Sequence, residues 1–75
     1  MRIEPLTTID QIKKGDQLLI SDGKEIIFVK ALQIVKSAHD GTEVVFNLKQ
    51  NKYFNVGMYL EGQSWVKEIF IVSQS

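Results

Sequence analysis

Turn-forming clusters recur along this sequence at short intervals, and they leave no room for a long helix. Gly15-Asp16, Ser21-Asp22-Gly23-Lys24, His39-Asp40-Gly41-Thr42-Glu43, Gln50-Asn51 and Glu61-Gly62-Gln63-Ser64 cut the chain into short apolar runs. Asp-Gly and related pairs supply the positive φ that tight hairpins need, so the pattern predicts an all-β chain of strands joined by hairpins. At 75 residues there is length for one small domain, taken as 1–75, with one core. Such a chain buries only about 60% of its unfolded surface.

The opening is the exception to the strand pattern. Thr8 followed by Gln11 fits a capping box. A single helical turn is predicted there, with Ile9 and Ile12 inward and Gly15 ending it. Leu18 to Ile20 then read as a short strand and 21–24 as a tight turn. A long second strand runs from about Glu25 to Val35. Its inward positions pass from Ile27, Val29 and Ala31 to Leu32 and Ile34, which predicts a bulge or sharp bend between Lys30 and Leu32.

The third strand is read from Thr42 to Lys49, with Val44, Phe46 and Leu48 on the core side. The fourth is read from Tyr53 to Leu60, with Phe54, Val56, Met58 and Leu60 opposite Tyr53, Asn55, Gly57 and Tyr59. Trp65 to Val72 closes the chain, with Val66, Phe70 and Val72 opposing Trp65, Lys67, Ile69 and Ile71. About five antiparallel strands with no helix to plug a barrel end favour an SH3-like, partly open barrel over an OB-fold.

The stretch "IDQIKKGDQLLISDGKEIIFVKAL" resembles the opening of SH3-like small barrels, in which a Lys-Gly-Asp turn leads a short strand into a hairpin and then a long bent strand. The resemblance covers roughly the first half of the chain. Similar phrases occur in KOW-type translation modules and in small proteins of bacteriophages and prophages, so it implies a binding module of a bacterial or phage system. The alanine-leucine-tyrosine-aspartate-tyrosine signature of signalling SH3 domains is absent, so it does not imply a proline-rich ligand. Self-splicing Hint domains also share the phrasing, but their terminal nucleophile and later blocks are missing.

Composition narrows function by exclusion. Nine basic residues balance nine acidic ones, and only Arg2 is arginine. A dedicated nucleic-acid binder usually carries a basic excess and uses arginine forks. The absence of cysteine excludes disulfides and thiolate metal sites and suits a reducing compartment. The start "MRIEPLTTIDQ" lacks the apolar run of a secretory signal, and no apolar stretch is long enough to span a bilayer, so a cytoplasmic protein without membrane contact is expected.

No catalytic motif emerges. His39 with Asp40 and Ser37 is too local for a triad, whose members converge from separate elements, and a metal needs three or four ligands. The carboxylates Asp16, Asp22, Asp40, Glu43, Glu61 and Glu68 fall mainly in or beside turns, where Asp bonds its own backbone. Phosphate-loop and dinucleotide fingerprints are missing. The expectation is no enzyme and no cofactor.

"NLKQNKYFNVGMYLEG", residues 47–62, is the one candidate interface. Tyr53, Tyr59 and Trp65 with Lys49, Lys52 and Lys67 make an aromatic and basic strand face, and Gly57 opens it to close approach. Such a face can stack bases and neutralise phosphates. Equally, aromatics simply favour strands and pair across them. Ile69 and Ile71 on the same outer face would make it apolar, and the final strand would leave an open edge. Both features favour a protein partner or self-association over nucleic acid.

Overall fold

The computed structural model describes residues 2–37 and 41–73. Seven strands occur among them: β1 (Arg2–Pro5), β2 (Gln17–Ser21), β3 (Ile26–Lys30), β4 (Gln33–Ser37), β5 (Gly41–Asn47), β6 (Lys52–Asn55) and β7 (Glu68–Ser73). A 3-10 turn, Ile9–Gln11, follows β1, and one short helix, α1 (Val56–Leu60), follows β6. The protein is all-β. Two antiparallel sheets, ordered β1-β7-β2-β3 and β4-β5-β6, share the core without closing into a barrel.

The link between the sheets is the predicted bent strand. β3 pairs with β2 and β4 pairs with β5, and the chain breaks direction at Ala31-Leu32. Both residues stay bonded through the bend. Ala31 donates its N–H to the Asp16 carbonyl at 2.8 Å, and Leu32 donates to the Val45 carbonyl at 2.9 Å. Fully buried Ala31 is small enough to sit inside that corner.

Alternating residues of both sheets fill the interior. Leu18, Ile20, Ile69 and Ile71 from one sheet meet Val44, Phe46 and Phe54 from the other, with Leu6, Ile12, Ala31, Val56 and Val66 sealing the ends. The first turn forms as expected: Gln11 Oε1 accepts from the N–H groups of Thr7 at 2.6 Å and Thr8 at 2.9 Å. Ile12 is buried there, but Ile9 faces solvent. The 21–24 turn also forms, with Gly23 at φ +96° and Asp22 Oδ1 accepting from Lys24 and Glu25.

Further expectations need correction. β1 adds a strand ahead of the helical turn that the sequence reading does not include; it lies at the edge of its sheet, where Pro5 is tolerated. Residues 56–60 are a helix and not the second half of a strand. β5 ends at Asn47, so Leu48 lies in the following turn and is 59% exposed instead of core. Finally, β7 begins only at Glu68, and the irregular segment before it shifts the phase. Val66, Ile69 and Ile71 are therefore all buried, and Ile69 and Ile71 contribute nothing to an outer patch. β7 also lies between β1 and β2, so the final strand is interior and offers no open edge.

Candidate interface around Trp65

The stretch 47–62 is a turn, a short strand and a helix. Asn47 Oδ1 accepts from Gln50 N–H at 3.3 Å, and Asn51 closes the turn at φ +51°, a left-handed conformation that asparagine tolerates better than most residues. β6 then pairs with β5 across an irregular register between Val45 and Asn47. Asn55 stops the strand and caps α1, its Oδ1 accepting from Met58 N–H at 3.0 Å. At the other end Gly62, at φ +77°, donates to the Tyr59 carbonyl at 3.0 Å, and Gln63 donates to the Met58 carbonyl at 2.8 Å. That is a Schellman cap, in which the left-handed residue after the helix lets the chain satisfy the last carbonyls.

These elements redistribute the six predicted site residues. Tyr53, 51% exposed, and Trp65, 48% exposed, come together with Lys52. The Trp65 indole Nε1–H donates to the Tyr53 carbonyl at 3.3 Å. Tyr59 is turned away by α1 and half-buried, its hydroxyl accepting the Ile69 N–H at 2.9 Å. Lys67 sits beside the β2–β3 turn, its N–H donating to the Ser21 carbonyl at 2.7 Å. Lys49 is exposed in the turn before β6. The outer face therefore contains half of the expected set. His39 and Asp40 lie outside the described residues.

Trp65 ends an aromatic row that starts in the core. Phe54 and Phe46 have ring centroids 6.3 Å apart at 37°, and Phe46 and Trp65 lie 6.2 Å apart at 43°. Tilted pairs at such spacing are favourable geometry for the ring quadrupoles. On one side of the indole a shallow groove of about 460 Å³ is lined by Gln50, Asn51, Lys52 and Tyr53. On the other a smaller cleft of about 170 Å³ has Ile20, Ile27 and Phe46 among its walls and Asp22, Glu25 and Lys52 at its rim. Lys52 and Trp65 form the ridge between the two. Gln50, Asn51 and the acidic rim were not part of the predicted site, because they come from turns that only the fold brings together.

Electrostatics distinguish the two rims. The backbone N–H groups of Glu25 and then Lys24 hold the Asp22 carboxyl below the ordinary aspartate range, with slight opposition from desolvation, so it is firmly anionic. Among the described residues no three His, Asp or Glu side chains converge as a metal site would require, and no helix is long and apolar enough to cross a membrane. Compared with protein-family models, with curated proteins and with solved structures, the chain matches none of them.

Proposed function

We propose that the chain is a non-enzymatic protein-binding module of a bacterial or phage system, working in the cytoplasm and without a cofactor. In this reading it grips a partner's apolar side chain beside Trp65. The observation that carries it is the indole itself, half-exposed between two concavities with its N–H already committed to Tyr53. A ring fixed in that way offers apolar area at little entropic cost, which is what interface anchors provide. The resemblance to SH3-like small barrels is supported by the strand that bends from one sheet to the other at Ala31 and Leu32.

Nucleic acid is the second reading, with Lys49, Lys52 and Lys67 on phosphates and Tyr53 and Trp65 stacking bases. It is disfavoured by the balanced charge of the chain and by anionic Asp22, with Glu25 beside it, across the cleft from Lys52. Selection of a random peptide library against the immobilised protein, with Trp65→Ala as counter-target, tests the first reading. Peptides that bind only when the indole is present support it, and an empty selection overturns it. Amide-resonance titration with mixed-sequence single-stranded DNA and RNA tests the second, which requires shifts around 50–53 and 65 that fade as salt rises.

A further inference from the structure

Strand β3 carries the sequence Ile-Ile-Phe-Val-Lys, and Ile26, Ile27 and Phe28 are all exposed, at 70%, 40% and 58%. A strand covered on one face shows alternating exposure. Ile26 and Phe28 lie on the open face, while Ile27 shares the inner face with Val29, which packs against the core, and is still 40% exposed, so β3 is only thinly covered. Among the described residues β3 is paired on one side only, to β2.

The hydrogen-bond phase shows what that edge presents. Ala31 N–H bonds the Asp16 carbonyl and Asp22 N–H bonds the Glu25 carbonyl, and both pairs keep the β2–β3 register. Antiparallel pairs alternate between bonded and non-bonded. Leu18–Val29 and Ile20–Ile27 are then the bonded pairs, and Ile26, Phe28 and Lys30 aim their N–H and C=O groups away from β2. The edge lacks the usual protections: it has no proline, no bulge and no charge before Lys30.

We infer that β3 is a dimerisation edge and that its occupant is β3 of a second copy, antiparallel, with Phe28 opposite Phe28 across the two-fold axis. Only this register lays the whole strand Ile26–Lys30 on itself. It sets Ile26 against Lys30 of the second copy, whose alkyl stem can cover the isoleucine. A register centred on Ile27 instead opposes Lys24 and Lys30, two like charges. The balanced net charge adds no long-range repulsion between copies.

The register also continues an existing apolar row. Pro5, Phe70, Leu19 and Phe28 are consecutive partners across β1, β7, β2 and β3. Pairing at Phe28 runs that row unbroken from one four-stranded sheet into the other. Ile27 of β3 also lines the cleft beside Trp65, but Ile26, Phe28 and Lys30 line neither concavity there, so substitutions at Ile26 and Lys30 test this interface apart from the Trp65 reading.

Sedimentation equilibrium from micromolar to millimolar concentration tests the dimer. The expected mass rises from 8.6 kDa towards twice that value. Ile26→Lys places two lysines opposite each other twice per dimer and should weaken association roughly tenfold. Adding Lys30→Glu to it should restore association by converting both clashes to ion pairs. Phe28 amide protection from hydrogen exchange should rise with concentration in the unaltered chain. A monomer at millimolar concentration overturns the inference. So does a dimer that is indifferent to Ile26→Lys or is not rescued by the double substitution.

Discussion

The N–H of Ile69 donates to the hydroxyl of Tyr59 at 2.9 Å, joining α1 to the interior strand β7. β1 accounts for the geometry. It pairs with β7 as far as Pro5, and Leu6 N–H still reaches the Ile69 carbonyl at 3.0 Å. The neighbouring Ile69 donor, on a residue only 1% exposed, is met by the tyrosine where the strand has ended. Tyr59→Phe keeps the ring and strips this donor of its acceptor, which costs about 1–3 kcal/mol. Thermal unfolding should show it, since each kcal/mol lowers the melting temperature of a domain this size by about 4–8 °C. An unchanged melting temperature would show that the bond contributes nothing.

The two caps of α1 should be separable by substitution. Asn55→Ala removes the side-chain acceptor for Met58 N–H and should cost about 1 kcal/mol, whereas Asn55→Asp retains an acceptor and most of the stability. Gly62→Ala meets no atom within 4 Å of the added Cβ, so its cost comes only from the backbone at φ +77°. About 1–2 kcal/mol is expected from left-handed strain. Urea titrations of the three variants check both values. A neutral Gly62→Ala would mean that the chain reverses differently after Leu60.

These caps also show what was legible in the sequence. Residues 53–60 alternate apolar and polar well enough to read as a strand, and a run of five residues is too short for a period of 3.6 to declare itself. Asn55 and Gly62 were the discriminating signals, and each was readable as an ordinary strand or turn residue. The bend at Ala31-Leu32 was legible because the inward positions changed phase within an otherwise continuous run. The final strand misled for the opposite reason: Trp65 to Lys67 is irregular, so counting from Trp65 put Ile69 and Ile71 on the wrong face. At the candidate site, Lys52, Tyr53 and Trp65 were recoverable from residue type. The acidic rim of Asp22 and Glu25 depended on how the β2–β3 turn meets β5 and β6.

Asp22 gives a pH dependence with a defined sign. Its folded pKa lies below its unfolded value because Glu25 and Lys24 N–H groups favour the charged carboxylate. The stabilisation is fully present above the unfolded value of about 4 and is lost as pH falls through the lower folded value. Asp22→Asn removes this acid-dependent contribution. Urea midpoints followed from neutral pH downwards should fall less steeply below about pH 4 in the variant than in the unaltered chain. Parallel curves would assign the acid sensitivity to other carboxylates.

The aromatic row separates stability from binding. Phe54, 1% exposed, anchors the inner end, and Phe54→Ala should cost about 3–5 kcal/mol through lost burial and the cavity left behind. A chain of 75 residues has roughly 4–11 kcal/mol in total, so that variant should be largely unfolded on mild heating. Trp65, at the outer end, is already half in water and loses one tilted contact with Phe46 and one hydrogen bond to Tyr53. Trp65→Ala should cost about 1–2 kcal/mol, leave a folded protein, and abolish the selected peptide binding. Circular dichroism melts of the two variants, read beside peptide titrations, measure both quantities. A Trp65→Ala protein as unstable as Phe54→Ala would make the indole a structural anchor, and one that is stable and still binds would move the site elsewhere.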